Sequence, residues 1–202
     1  MDKVLLSIGH GYCANALAMR LLPQGWRVIG TTRSAGKAKS LAAGGVEPLI
    51  WPGGDLPIST ASHILTSIAP EDGEEPVLRE AAQALKGAKH VKWVGYLSTT
   101  GVYGDHAGEW VDETTPIAPT TERGKARVKA EAGWQKLALP LHVFRLAGIY
   151  GPGRGSFEKV RNGSARRIIK KGQVFSRAHV DDIVQVLEAS IHAPNPGAIY
   201  NI

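Results

Sequence analysis

The chain has 202 residues, of which 43% are hydrophobic, and its 24 Lys and Arg against 18 Asp and Glu give a formal net charge of +6. This length suits one large domain, the ordinary apolar content excludes a disordered or fibrous protein, and no apolar run is long enough to span a bilayer. The only cysteine, Cys13, excludes internal disulfides and a thiolate metal cage. We therefore expect a cytoplasmic protein with no metal, no membrane partner and a preference for anionic ligands.

Short apolar runs alternate with helical segments along the chain. The first run, VLLSI, ends in glycine and is typical of a buried strand, and the helical segment after it is stopped by Pro23 and Gly25. The predicted strands are 4–8, 27–31, 46–50, 63–68, 91–97, 141–146 and 198–202, and the predicted helices are 14–22, 37–43, 77–85, 122–137 and 180–192. This alternation predicts a doubly wound α/β fold with a mostly parallel sheet.

Two segments interrupt the alternation, at 104–119 and 154–175. Each follows a predicted strand and should lie at its carboxyl end, where open α/β sheets bind their ligands. Within the second segment, Lys171 and Gly172 indicate a hairpin. We expect one domain over residues 1–202, in which these insertions form a partial substrate lobe.

The first predicted strand and helix are joined by IGHGYCA, a G-x-G-x-x-A turn. Gly9 permits the tight turn, Gly11 lets the backbone approach a pyrophosphate, and Ala14 lets the helix pack closely. The unpaired N–H groups of the helix N-terminus then face the phosphates. This context predicts a Rossmann-type dinucleotide site, and the alternative is a turn that is merely rich in glycine. The predicted cofactor-binding residues of the loop are Gly9, His10, Gly11, Tyr12, Cys13 and Ala14, with Cys13 as a small side chain in a crowded turn and not a nucleophile.

The end of the second predicted strand, GTTRS, indicates which dinucleotide is bound. NAD-binding proteins usually place an acid here, which binds the ribose 2′-hydroxyl, whereas Arg33 can pair with a 2′-phosphate. Thr31, Thr32 and Ser34 add hydroxyl donors, and no acid occurs between Lys3 and Val46. The pattern favours NADP over NAD; the alternative is a solvated Arg33, with neutral hydroxyls that hold either cofactor.

Further motifs follow the glycine loop in order: YLSTTGVYGD at 96–105, RLAGIYGPGR at 145–154, FSRAHVDDIVQVL at 175–187 and the closing IYNI. Together they resemble the extended short-chain dehydrogenase/reductases, also called the NAD-dependent epimerase/dehydratase family. GVYGDHAGEWVDETTP followed by PTTERGKARVKAE is most similar to the atypical, YeeZ-like branch. The resemblance covers nearly the whole chain.

The resemblance implies a proton-handling set beside the nicotinamide: a hydroxyl residue after the fifth strand, a tyrosine, and a lysine four residues on. Thr99 matches the hydroxyl and Lys125 the lysine, whereas Thr121 occupies the tyrosine position. A lysine cation lowers the pKa of a phenol towards neutrality, but an aliphatic hydroxyl stays far too basic to serve. The usual catalytic tyrosine is therefore expected to be missing.

Three accounts of this departure stay open. Another residue donates the proton, or water or the substrate does so, or the protein binds dinucleotide without turnover as a sensor. The candidate donors are Tyr103 and Tyr150, then His106, His179 and the acids Glu109, Asp112 and Glu113.

The sequence thus predicts an NADP-dependent oxidoreductase or epimerase/dehydratase that acts on a small carbonyl or sugar-like compound. The alternative is a non-catalytic NADP-binding or sensor protein. The expected partner is a small-molecule substrate, anionic if the basic stretch from Arg154 to Arg177 meets a phosphate. A nucleic-acid partner is not favoured, because no reader motif accompanies that stretch.

Overall fold

A seven-stranded sheet forms the centre of the protein. The computed structural model describes residues 3–167, 169 and 171–202. The strands are β1 Val4–Ile8, β2 Arg27–Thr32, β3 Glu47–Ile50, β4 His63–Thr66, β5 Trp93–Thr99, β6 Leu141–Leu146, β7 Gly148–Tyr150, β8 Arg177–His179 and β9 Ile199–Asn201. The helices are α1 Tyr12–Leu21, α2 Ala35–Ala43, α3 Pro76–Lys86, α4 Glu122–Gln135, α5 Ser156–Arg161 and α6 Val180–His192.

The strand order of the sheet is β3-β2-β1-β4-β5-β6-β9, and every neighbouring pair is parallel. The chain moves outward from β1 in one direction and then returns to β4, on the other side of β1. Leu5 of β1 accordingly faces Val28 on one side and His63 on the other. This reversal places a crevice at the carboxyl ends of β1 and β4, where doubly wound sheets bind ligands. The predicted fold class is confirmed.

Helices cover both faces of the sheet. On one face, α1 and α6 bury Leu17, Leu21, Ile183 and Leu187 over the sheet, around the buried ring of Trp93. On the other face, α3 and α4 contribute Val77, Leu85 and Trp134 to a second core. The apolar positions of α6 recur at helical spacing, which explains how it buries one stripe and leaves Asp181 and Asp182 in solvent.

The structure adds elements that the sequence did not indicate. β7 and β8 form a short parallel pair on either side of the second insertion, 154–175, with Ile149 opposite Ala178. α5 adds six residues of helix. Lys171 and Gly172 form a turn, but no strand flanks it in the part of the segment that is described, and residues 168 and 170 lie outside that part. No helix among the described residues is long and apolar enough to cross a bilayer.

Candidate functional site

The glycine loop turns sharply from β1 into α1. Gly9 has a φ of +76°, and a Cβ on it would run into the side chain of Ile68. Its N–H donates to Thr31 Oγ1 at 2.7 Å, so the side chain of Thr31 ties the loop to β2. Gly11 precedes the first turn of α1, whose leading N–H groups have no intrahelical acceptor. The loop therefore presents backbone donors at the crevice.

His10 is buried beneath this loop and stays neutral. Its exposed fraction is 1%, Nδ1 lies 3.0 Å from Ser7 Oγ, and Nε2 has no partner among the described residues. Burial lowers the pKa of His10 to about 4. A Cβ on Gly30 would approach the imidazole to 2.9 Å, so glycine at that position makes room for the ring. The ring of His10 therefore packs between Ser7 of β1 and Gly30 of β2.

An outer pocket lies beside the ends of β2 and β4. Its volume of ≈ 480 Å³ falls within the range of roughly 300–1,000 Å³ that is usual for small-molecule sites. Three cations line it, Arg33, Lys37 and Arg79, together with one carboxylate, Glu71. Arg33 Nη1 pairs with Glu71 Oε1 at 3.2 Å, and Lys37 Nζ donates to the carbonyl of His10 at 2.5 Å. Glu71 comes from the loop after β4, and sequence reasoning missed it.

The hydroxyl groups of this pocket already support the backbone. Thr32 Oγ1 accepts from the N–H of Ser34 at 3.2 Å, and Ser34 Oγ accepts from the N–H of Lys37 at 3.3 Å as the N-cap of α2. Because a hydroxyl accepts and donates at once, each O–H can still point at a ligand. Thr31 and Thr32 are buried, whereas Ser34 is exposed.

An inner cleft of ≈ 540 Å³ opens on the other side of the glycine loop, at the carboxyl ends of β1, β5 and β6. Its lining includes Thr99 and Thr121, the two threonines that the family resemblance places beside the nicotinamide. Thr99 Oγ1 accepts from the N–H of Gly101 at 3.2 Å, and Thr121 Oγ1 accepts from the N–H of Gly124 at 3.1 Å as the N-cap of α4. The side chains in the cleft lining that can donate hydrogen bonds or carry charge include Tyr12, Cys13, Thr99, Thr121, Arg123, Arg127 and Arg154.

The structure does not bring Lys125 to this cleft. Its ammonium pairs with Glu122 at 2.7 Å, and its side chain is 58% exposed. The reason is the rotational setting of α4: Gly124 sits against the carbonyl of Gly101, where a Cβ would come within 2.7 Å, so the next residue faces solvent. The N–H of Lys125 donates to the carbonyl of Thr121 at 3.0 Å, but the side chain of Lys125 is not among the described residues that line the cleft.

Two other cations of α4, Arg123 and Arg127, do line the cleft. Arg127 is only 6% exposed, and its Nη1 donates to the carbonyl of Leu97 at 2.6 Å and to the hydroxyl of Tyr96 at 3.2 Å. Sequence reasoning missed Arg123 and Arg127. The helical spacing of Gly124, Arg127, Glu131 and Trp134 could have indicated that Arg127 lies on the buried face of α4.

The two tyrosines considered as substitute acids lie elsewhere. Tyr103 is 1% exposed; its hydroxyl donates to Asn201 Oδ1 at 2.8 Å and accepts from Arg145 Nη1 at 2.7 Å. Tyr150 packs edge-on against His179, with ring centroids 5.0 Å apart. Neither tyrosine is among the described residues that line the cleft.

The remaining candidate donors mostly make local contacts outside the cleft. His106 Nε2 lies 3.2 Å from the carbonyl of Tyr103, and His179 caps α6 by accepting from the N–H of Asp181 at 3.3 Å. Asp112 caps its own turn, Glu113 accepts from the N–H of Asn201 at 2.6 Å, and Glu109 is exposed.

The parallel sheet, its order and the glycine loop define a Rossmann-type α/β protein. No family model matches the chain. Protein YeeZ of Escherichia coli (strain K12) is 29% identical over 220 positions, which cover 100% of this chain and 77% of YeeZ. A solved protein of unknown function from Silicibacter pomeroyi is 55% identical, with a TM-score of 0.93, over 100% of this chain and 72% of that one. The chain belongs to one family with this Silicibacter protein and is a homologue of YeeZ.

More distant solved structures share the fold. UDP-glucuronic acid 4-epimerase from Bacillus cereus, in complex with UDP-glucuronic acid and NAD, is 18% identical with a TM-score of 0.79, over 98% of this chain and 77% of that one. The enzyme WbmG from Bordetella bronchiseptica, in complex with NAD, is 20% identical with a TM-score of 0.78, over 100% and 73%.

Proposed function

We propose that the protein binds a nicotinamide dinucleotide across the glycine loop. The observation that carries this proposal is that the two cavities meet at the glycine loop: Gly9, Ser67 and Ala69 line both the outer pocket and the inner cleft. A dinucleotide laid across the loop would put its adenosine end in the outer pocket and its nicotinamide end in the inner cleft. The free N–H groups at the start of α1 suit a pyrophosphate between them.

The proposed cofactor is NADP in preference to NAD. Three cations and one carboxylate line the outer pocket, so a 2′-phosphate meets net positive charge there. Arg33 is 77% exposed in its side chain, and its pairing with Glu71 is a single contact at 3.2 Å, which a phosphate can replace. Glu71 is the one side chain among the described residues of the pocket that favours the 2′-hydroxyl of NAD, and the two more distant solved structures, the Bacillus cereus epimerase and WbmG, are complexes with NAD.

The proposed activity is that of an oxidoreductase or epimerase/dehydratase acting on a small carbonyl or sugar-like compound. The dinucleotide, when bound, supplies hydride transfer. Thr99 and Thr121 can offer hydroxyl donors to a carbonyl oxygen in the inner cleft, whereas the ammonium of Lys125 would have to leave Glu122 to reach it. A role for Lys125 therefore stays a prediction, as does a cytoplasmic location.

A sensor without turnover is the second candidate function. The observation that favours it is the set of groups that line the cleft: threonine hydroxyls, arginines, Tyr12 and Cys13. The hydroxyl of Tyr12 donates to the carbonyl of Pro152 at 2.9 Å, and burial raises the pKa of the Cys13 thiol. Neither group is poised to give up a proton near neutral pH.

Calorimetric titration with NADPH and NADH tests the proposal. In Arg33→Ala we expect NADPH affinity to fall about tenfold or more, because a charge-assisted hydrogen bond is lost, and NADH affinity to stay level. Arg166→Ala removes the same charge from an exposed site that lines neither cavity and serves as the matched control. If neither dinucleotide binds, the proposal fails.

Turnover separates the two candidate functions. An enzyme should consume NADPH with some member of a panel of carbonyl compounds, which is followed by loss of the reduced cofactor's absorbance. A sensor should bind oxidised and reduced cofactor with different affinities and leave the reduced form intact with every member of the panel.

A further inference from the structure

The inner cleft carries positive charge that no acid in it offsets. Arg123, Arg127 and Arg154 line it, and no Asp or Glu is found among the described residues of its wall. Arg123 makes no hydrogen bond or ion pair with any described residue. Arg154 lies over the ring of Tyr12, 5.3 Å from its centroid. A concave surface of one sign concentrates ions of the other sign, so this cleft favours an anion.

The arginines divide between the two sides of the cleft. Arg154 contacts Tyr12, on the glycine-loop side, where the cofactor pyrophosphate is proposed to lie. Arg123 and Arg127 project from α4, on the side of Thr99 and Thr121. The α4 pair is therefore placed for a second anion, beyond the cofactor.

Arg127 is held in place before any ligand arrives. Its Nη1 is anchored to the carbonyl of Leu97 and the hydroxyl of Tyr96, and its Nε is buried without a partner among the described residues. A guanidinium held this way has already lost its rotamer freedom, so binding an anion costs little further entropy. Arg123, by contrast, is exposed and free to close on a ligand.

The start of α4 reinforces this side of the cleft. Thr121 accepts from the N–H of Gly124, which leaves the N–H groups of Glu122 and Arg123 without an intrahelical acceptor. α4 runs for 14 residues, so its positive end adds to the charge of the two arginines.

We propose that the inner cleft binds an oxyanion of the substrate, either a carboxylate or a phosphate. Arg123 contacts this oxyanion directly, and the anchored guanidinium of Arg127 fixes its orientation. The substrate class is accordingly a carbonyl compound that bears an acid group, not a neutral sugar. This inference rests on the proposed function, because it places the oxyanion beside a bound dinucleotide.

The test uses the full chain saturated with NADP⁺, into which acetate and inorganic phosphate are titrated separately at low ionic strength. At least one probe should bind, and the one that does identifies the acid group. Arg123→Gln should weaken that binding about tenfold or more, since a charge-assisted contact is lost, and leave the NADP⁺ affinity unchanged. Lys129→Gln, which removes one charge from the exposed part of the same helix outside the cleft, should change neither.

The outcomes separate this inference from the proposed function. NADP⁺ binding with no binding of either probe overturns this inference alone. Probe binding that NADP⁺ abolishes also overturns it, because the arginines would then serve the cofactor pyrophosphate. A protein that does not bind NADP⁺ at all overturns the proposed function and the inference with it. Equal losses in Arg123→Gln and Lys129→Gln would show only diffuse surface charge, and would refute a site.

Discussion

Replacing Glu131 by leucine should cost the protein much of its stability. Glu131 and Arg145 form a buried ion pair between α4 and β6, with side chains 4% and 2% exposed and Nη2 to Oε2 at 2.9 Å. Ser98 Oγ donates to the same carboxylate at 2.5 Å, and Arg145 donates to the hydroxyl of Tyr103. Glu131→Leu leaves a guanidinium buried without a counter-charge, which costs about 3–5 kcal/mol of unfolding free energy.

A double-mutant cycle measures how much of that cost comes from the buried guanidinium of Arg145 that is left without its counter-charge. Glu131→Leu with Arg145→Met removes both charges and retains similar volume, so it should recover about 2 kcal/mol or more relative to the sum of the single changes. Urea unfolding at constant m-value gives each free energy. A Glu131→Leu loss below about 1 kcal/mol, or strict additivity in the double variant, would refute the reasoning.

Two further predictions concern the nucleotide side of the site. Glu71→Gln should raise NADPH affinity by about two- to fivefold, because an exposed carboxylate no longer competes for Arg33; an unchanged or lower affinity in the same calorimetric titration contradicts this. The pKa of His10 is lowered to about 4 in the folded protein. Between about pH 6.5 and pH 4 the imidazole is therefore protonated in the unfolded chain but neutral in the folded one, so the free energy of unfolding falls as the pH falls through this range. Relative to His10→Asn, the protein should therefore lose about 2 kcal/mol between about pH 7 and pH 5 in urea unfolding, and a difference that does not vary with pH would show that His10 titrates normally.

The elements that the sequence predicts best are those with a continuous buried run. β1, β6 and α6 have the predicted bounds, because apolar runs and helical spacing directly encode burial. Element ends that depend on hydrogen bonds differ more: β5 was predicted over 91–97 and forms over Trp93–Thr99. β7 and β8 escaped prediction because each is three residues long and pairs with a partner far along the chain.

The site shows the same division between local and non-local information. The glycine loop was readable because its geometry depends on a few adjacent residues. Glu71 gave no local sign of its role, since only the sheet brings the loop after β4 beside Arg33. The four-residue spacing of Thr121 and Lys125 gave a position on α4 but not its face, and that face is set by the contact of Gly124 with Gly101.

The groups in the inner cleft can bind and polarise far more readily than they can transfer protons. An arginine keeps its proton at neutral pH, and a threonine hydroxyl gives one up only at far higher pH. Meanwhile the nearby tyrosine and carboxylate that might have served, Tyr103 and Glu131, are engaged in the network that joins β5, β6 and α4. If the protein turns over a carbonyl compound, the proton at the carbonyl oxygen must therefore come from water or from the substrate's own acid group. A carboxylate held by Arg123 is already ionised, and the guanidinium lowers its pKa further, so the proposed substrate class points to water as the proton source.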